Sequence, residues 1–203
     1  MKSSQYIWKY RSCTKVFFKS FFVSYRHFIF SIFCKYQNIS DFWSWQASWF
    51  NLCKDETKKQ VITPGCVNLE KWIADFVPDH VAVWDKGEGA NTYGRVTKYW
   101  AWEPIMCHGK FERLRHTDVF RFSALGNNPG HPCPKPLKLW EEIIEYLSIG
   151  GIYDPFIGSG TTMVACQNLN RKCRAIEISP NYCAVVLERM QTAFPELEIK
   201  RLA

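Results

Sequence analysis

Asp154-Pro155-Phe156-Ile157-Gly158-Ser159-Gly160-Thr161-Thr162 stands between a brief strand, Gly151-Ile152-Tyr153, and a helix predicted over Thr161–Leu169. Glycines at such a junction let the backbone turn tightly and approach a ligand with no Cβ in the way. Two familiar glycine loops do not fit. The third glycine of G-x-G-x-x-G is missing, and no lysine follows Gly160 as a phosphate-binding G-K-[ST] would require. An Asp-Pro pair ahead of the glycines suits neither. Glu177, seventeen residues beyond Gly160, ends the next predicted strand. A carboxylate placed there can accept hydrogen bonds from ribose hydroxyls. The plainer alternative is a strand–turn–helix corner with an exposed glutamate.

Working outward, the flanking elements are clear. Leu137–Ser148 carries Trp140, Ile143, Ile144 and Leu147 on one helical face, and Pro136 suits its first turn. Cys173–Ile178 reads as a strand and Asn181–Phe194 as a helix, with Ser179 placed to cap it and Pro180 to begin it. Strand, helix, strand, helix implies a parallel α/β sheet. Further upstream, His80–Trp84 and Thr117–Phe122 are short strand candidates between turn-forming clusters such as Thr63-Pro64-Gly65, Lys86-Gly87-Glu88-Gly89 and Gly126-Asn127-Asn128-Pro129-Gly130.

The first sixty residues differ in kind. They hold ten Lys/Arg against three Asp/Glu, whereas residues 61–203 hold sixteen of each, so the whole net charge of +7 lies in the first part. The basic pI therefore says little about a nucleic-acid partner for the remainder. A membrane span is excluded within residues 16–34, because Lys19, Arg26 and His27 interrupt it. A signal peptide fits poorly, since no small-residue cleavage site follows. A basic, aromatic surface helix touching membrane or nucleic acid is the alternative. No clean period runs through the segment, so residues 1–60 read as a non-homologous or misread start outside the fold. Nine cysteines contain no C-x-x-C pair. Neither a zinc cluster nor a disulfide framework is expected, and the thiols read as reduced ones of a cytosolic protein.

Three segments together resemble S-adenosylmethionine-dependent DNA methyltransferases that modify exocyclic amino groups, adenine N6 or cytosine N4. These are Asp154–Thr162, His131-Pro132-Cys133-Pro134-Lys135-Pro136, which is similar to the family's H-P-x-x-K-P box, and Arg174-Ala175-Ile176-Glu177-Ile178-Ser179-Pro180-Asn181-Tyr182, similar to the segment bearing its ribose-binding acid. Looser likeness to phage-type members runs through Trp84-Asp85-Lys86 and Trp102-Glu103-Pro104-Ile105. The resemblance covers residues 61–195. It implies an α/β fold with a Rossmann-like methyltransferase sheet, helices on both faces, incomplete at its N-terminal side. It divides the rest of the chain into a target-recognition-like region, 61–130, and a cofactor-binding half, 131–203.

The implied cofactor is S-adenosylmethionine, and the implied partner is double-stranded DNA, with no metal and no membrane, in a prokaryotic or phage-encoded cytoplasmic setting. Asp154 and the backbone of Phe156, Gly158, Ser159 and Gly160 would line the methionine and sulfonium end. Ser159 and Thr161 would bind the amino-acid moiety. Glu177 would hold the ribose, Ile178 would pack on the adenine, and His131 and Lys135 would close the side. Lys86, Arg95, Lys98, Arg113 and Arg115, interleaved with aromatics, would contact DNA. One family part is absent. The D/N/S-P-P-Y box, which prepares the amino nitrogen and stacks on a flipped base, has no counterpart. The nearest strings are Ser40-Asp41-Phe42-Trp43 and Ser179-Pro180-Asn181-Tyr182. The catalytic residues are therefore unassigned, and a chain that binds cofactor or DNA without transferring methyl is the rival reading.

Overall fold

The structure, a computed structural model, describes residues 23–24, 39–66, 69–87, 100–110, 117–123, 135–147 and 150–200. In chain order the elements are β1 (Val23–Ser24), α1 (Ile39–Glu56), β2 (Gln60–Thr63), α2 (Leu69–Asp75), β3 (His80–Asp85), β4 (Trp102–His108) and β5 (Val119–Arg121). They continue as α3 (Leu137–Leu147), β6 (Ile152–Asp154), α4 (Thr161–Asn168), β7 (Cys173–Ala175) and α5 (Pro180–Ala193). Strands β1-β2-β4-β3-β5 form one sheet and β6-β7 a parallel pair, with β1 lying against β6 as well as pairing with β2. β4 runs antiparallel to both neighbours.

Alternation along the strands sends side chains to two separate cores. Val61, Ile105, Cys107 and Ile152 face one side, where they meet Leu139, Trp140, Ile143 and Ile144 of α3 and the buried residues of α4 and α5. Ile62, Met106 and Tyr153 face the other, beneath Phe42, Trp49, Phe50 and Cys53 of α1 and Trp72 of α2. The sheet is thus covered on both faces. The predicted helical face of α3 holds at Trp140, Ile143 and Ile144; the side chain of Leu147 lies outside the described residues.

Three expectations are corrected. First, α1 lies within residues 1–60 yet packs on the same core as Tyr153, and β1 adds a strand upstream of 61. The division at 60 marks a change of composition, not a break in packing. Its buried positions 42, 46, 49, 50 and 53 follow a helical stripe, but one of them is Gln46. A polar residue there hides the period; its Oε1 accepts from Trp49 Nε1 at 2.7 Å. Second, the described parts of 61–130 are α2 and strands of the sheet itself, while 88–99, 111–116 and 124–134 lie outside the described residues. Third, β7 stops at Ala175, short of the predicted Ile178, and the backbone beyond it bonds the glycine loop instead.

β4 escaped detection because Pro104 interrupts it. Val83 pairs with Pro104, but the Val83 N–H donates to Asp118 on the opposite side. This is a non-hydrogen-bonded pair, so the proline nitrogen points away from β3 and no bond to that strand is lost. No helix among the described residues is long and apolar enough to cross a membrane.

Candidate functional site

The loop after β6 is held by two carboxylates. Asp154, the last residue of β6, is almost wholly buried. Its Oδ1 accepts from Phe156 N–H at 2.9 Å and its Oδ2 from the Thr162 hydroxyl at 2.6 Å. Glu177 reaches over from the segment after β7: Oε2 accepts from Gly158 N–H and Oε1 from Ser179 N–H, each at 2.9 Å. Backbone bonds Ile176 N–H to Asp154 O, 2.9 Å, and Ile157 N–H to Ile176 O, 3.1 Å, stitch the two segments together. The two acids named from sequence therefore grip one loop, two residues apart.

Both glycines are needed for different reasons. Gly158 has φ +53° and a Cβ there would meet only the Phe156 carbonyl oxygen at 4.0 Å, so it leaves space over the loop. Gly160 has φ +85°, and its Cβ would stand 3.1 Å from both methyls of Val186 on α5. Gly160→Ala is expected to cost about 2–4 kcal/mol, from left-handed strain plus overpacking. Denaturant unfolding of the variant checks this; a loss below about 1 kcal/mol would contradict it.

Electrostatics at the site centre on Asp154. Burial raises its carboxyl to about 7 from the usual 3.8, and the nearby Glu177 charge adds to the rise; the Thr162 and Phe156 hydrogen bonds oppose it. A buried acid poised near neutrality is well suited to a cationic ligand, whose charge would restore the carboxylate.

Ile178, beside Glu177, is 65% exposed, so it is no core residue but an apolar surface on the segment between β7 and α5. Ser159 and Thr161 are buried at the start of α4. Arg189 of α5, which the sequence reading missed, donates from Nη1 to Ser159 O and to Thr161 Oγ1, both at 3.0 Å. Its spacing was the available signal: Val186, Arg189 and Met190 lie at i, i+3 and i+4 on the helix face turned to the loop. Ser179 stands at the N-cap of α5 with Pro180 in its first turn, but its side chain makes no capping bond; its N–H serves Glu177 instead.

Lys135 and Lys86 sit elsewhere. Both are buried on Glu103, which is 1% exposed: Lys135 Nζ lies 2.5 Å from Oε2 and Lys86 Nζ 2.7 Å from Oε1. Both ammoniums also lie over the Trp84 ring, 4.8 and 5.1 Å from its centroid. Lys86 is thus corrected from a DNA-facing lysine to a buried ion-pair member, because a desolvated, paired ammonium is not available to phosphates. Lys135 is spent on β4 and does not join Asp154 or Glu177. His131, Arg95, Lys98, Arg113 and Arg115 lie outside the described residues. Of the two nearest strings to the missing box, Asp41-Phe42-Trp43 lies inside α1 and Pro180-Asn181-Tyr182 in the first turn of α5. Neither forms an extended loop. Among the described residues no group of three or more His, Cys, Asp or Glu is placed to hold a metal ion.

The chain is similar to known proteins in sequence and in fold. A family profile of N6/N4 type, described as DNA methylase, matches residues 70–188. The chain is 39% identical over 84 residues to the type II methyltransferase M.HpaI of Haemophilus parainfluenzae, covering 38% of this chain and 27% of that protein. It is 43% identical over 63 residues to the orphan methyltransferase M.BamHII of Bacillus amyloliquefaciens, covering 30% of this chain and 24% of that one. The matches thus span a minor part of both relatives. Among solved structures, the M1.HpyAVI–SAM complex aligns with a TM-score of 0.61 at 20% identity, over 86% of this chain and 89% of that one. The PvuII DNA methyltransferase, described as cytosine-N4-specific, aligns with a TM-score of 0.61 at 17% identity, over 89% and 86%. At such identity these structures establish the α/β fold.

Proposed function

This chain belongs to the family of N6/N4 DNA methylases, and from that premise we propose that it binds S-adenosylmethionine on the glycine loop and methylates an exocyclic amino group, adenine N6 or cytosine N4, in duplex DNA. The observation that carries the reading is the shared grip of Asp154 and Glu177 on the backbone of Phe156 and Gly158. The residues fit the group. Each Glu177 oxygen uses one lone pair on a backbone N–H and keeps another for a ribose hydroxyl. Ile178 offers exposed apolar surface to the adenine, and Gly158 leaves room above the loop.

When bound, the cofactor supplies a methyl carbon already activated by its sulfonium. The chain's tasks are then orientation and charge. Asp154 places a carboxylate beneath the cationic end, and the first turn of α4 presents N–H groups to the amino-acid end. Glu177 fixes the nucleoside. Preparation of the target amine falls to residues outside this constellation.

Titration calorimetry with S-adenosylmethionine tests the cofactor half. Glu177→Ala is expected to weaken binding on the order of 10-fold or more, through two lost charge-assisted ribose bonds. Wild-type protein that binds no cofactor would sink the proposal. Incorporation of labelled methyl into unmethylated duplex DNA tests the transfer. The lack of a D/N/S-P-P-Y box in the sequence favours a second reading, cofactor or DNA binding without transfer; binding with no label in any DNA would select it.

A further inference from the structure

We infer that Arg189 is a positioning residue for the amino-acid end of the methyl donor, holding the backbone at 159–161 and turning the Thr161 hydroxyl into a donor for a carboxylate. The inference rests on the cofactor reading above and adds to it a residue from a different helix.

Arg189 acts on both sides of Gly160. Its Nη1 donates to Ser159 O and to Thr161 Oγ1, while the Gly160 N–H donates to Ile157 O at 2.9 Å. The peptide joining Ser159 and Gly160 is therefore tied at its carbonyl and at its N–H. Val186, one turn earlier on α5, puts both its methyls 3.1 Å from where a Cβ on Gly160 would stand. One helix thus sets the loop's backbone by contact and by hydrogen bond.

Donor chemistry then orients Thr161. A guanidinium has no acceptor, so the Thr161 oxygen must accept and its hydrogen must go to something else. Among the described residues that hydrogen has no acceptor. Thr161 is the first residue of α4, where the helix presents unpaired N–H groups and partial positive charge. Arg189 itself is half-buried, with no ion pair among the described residues, and adds a full positive charge there. A hydroxyl donor, helix N–H groups and a cation converge on one kind of ligand group, an anion. On the methyl donor that group is the α-carboxylate of its methionine moiety.

The test compares two ligands by calorimetry: S-adenosylhomocysteine, which carries the amino-acid end, and 5′-methylthioadenosine, which lacks it. Arg189→Met is expected to weaken the first on the order of 10- to 100-fold, the range of a lost charge-assisted bond, and the second less than about 2-fold. Thr161→Val should show the same selectivity, and the double variant should be no worse than Arg189→Met, because the two act as one unit. Arg189→Lys should recover part of the loss. Equal losses on both ligands would mean that Arg189 merely supports the fold, and undiminished S-adenosylhomocysteine binding would mean that it positions nothing; either overturns the inference. Wild-type protein that binds neither ligand overturns the cofactor reading itself, a result distinct from both.

Discussion

Replacing Glu103 by alanine is expected to cost about 3–5 kcal/mol of stability, the range for removing one partner from a buried ion pair. The physical reason is what stays behind. Lys86 and Lys135 are each about 5% exposed at the side chain and both press on Trp84; without the carboxylate, both buried ammoniums lose its charge-assisted bond while staying desolvated. Removing a lysine instead is milder, because Lys86→Met leaves the Lys135–Glu103 pair intact. Urea unfolding of the three proteins checks the order: wild type most stable, then Lys86→Met, then Glu103→Ala. A Glu103→Ala protein within about 1 kcal/mol of wild type would show that solvent reaches the ion pair.

Asp154→Asn should remove a pH dependence. The folded carboxyl sits near 7, raised from 3.8 mainly by burial. A raised acid stabilises the fold fully below its unfolded value, and that contribution is lost as pH rises through the folded value. The free protein should therefore weaken between about pH 4 and pH 7, by on the order of 4 kcal/mol at 1.36 kcal/mol per unit. Asparagine can still accept from Phe156 N–H and donate to the Thr162 oxygen, so the variant should lack this acid's share of the pH dependence and be at least as stable as wild type at pH 8. Its binding of a sulfonium should be weaker. In wild type, a cationic ligand restores the carboxylate and expels a proton, so affinity should rise with pH through 7. Calorimetry in buffers of different ionisation heat reads that proton directly; zero release at pH 7, with unaltered affinity in Asp154→Asn, would remove Asp154 from the ligand's charge balance.

Parts of the molecule could be read from local signals. The glycine loop, the Pro180 start of α5 and the apolar face of α3 at Trp140, Ile143 and Ile144 are short-range patterns, and they stand where expected. Other parts were hidden by a residue that breaks its own pattern. Gln46 occupies a core position of α1 and erased the helical period; Pro104 stands within β4 and spoke against a strand. Pro104 is tolerated because Val83, opposite it on β3, bonds to the other side, and Gln46 because the Trp49 N–H three residues on donates to its oxygen. Lys86 shows the converse. Lysines beside turn glycines are normally solvated, and nothing near it in sequence marks Glu103, seventeen residues on, as its partner.

What the amino-acid order determined alone was the presence of a glycine loop flanked by two acids, because the spacing of Asp154, Gly158, Gly160 and Glu177 follows from a single strand–helix–strand unit. Only the tertiary structure decided which side chains are spent on holding that loop and which are left for a ligand. Arg189 and Val186 are brought to Gly160, and Lys135 is drawn away to Glu103, by helix packing over the sheet. Such packing is a balance of burial and charge among residues distant in the chain, and no local pattern carries it.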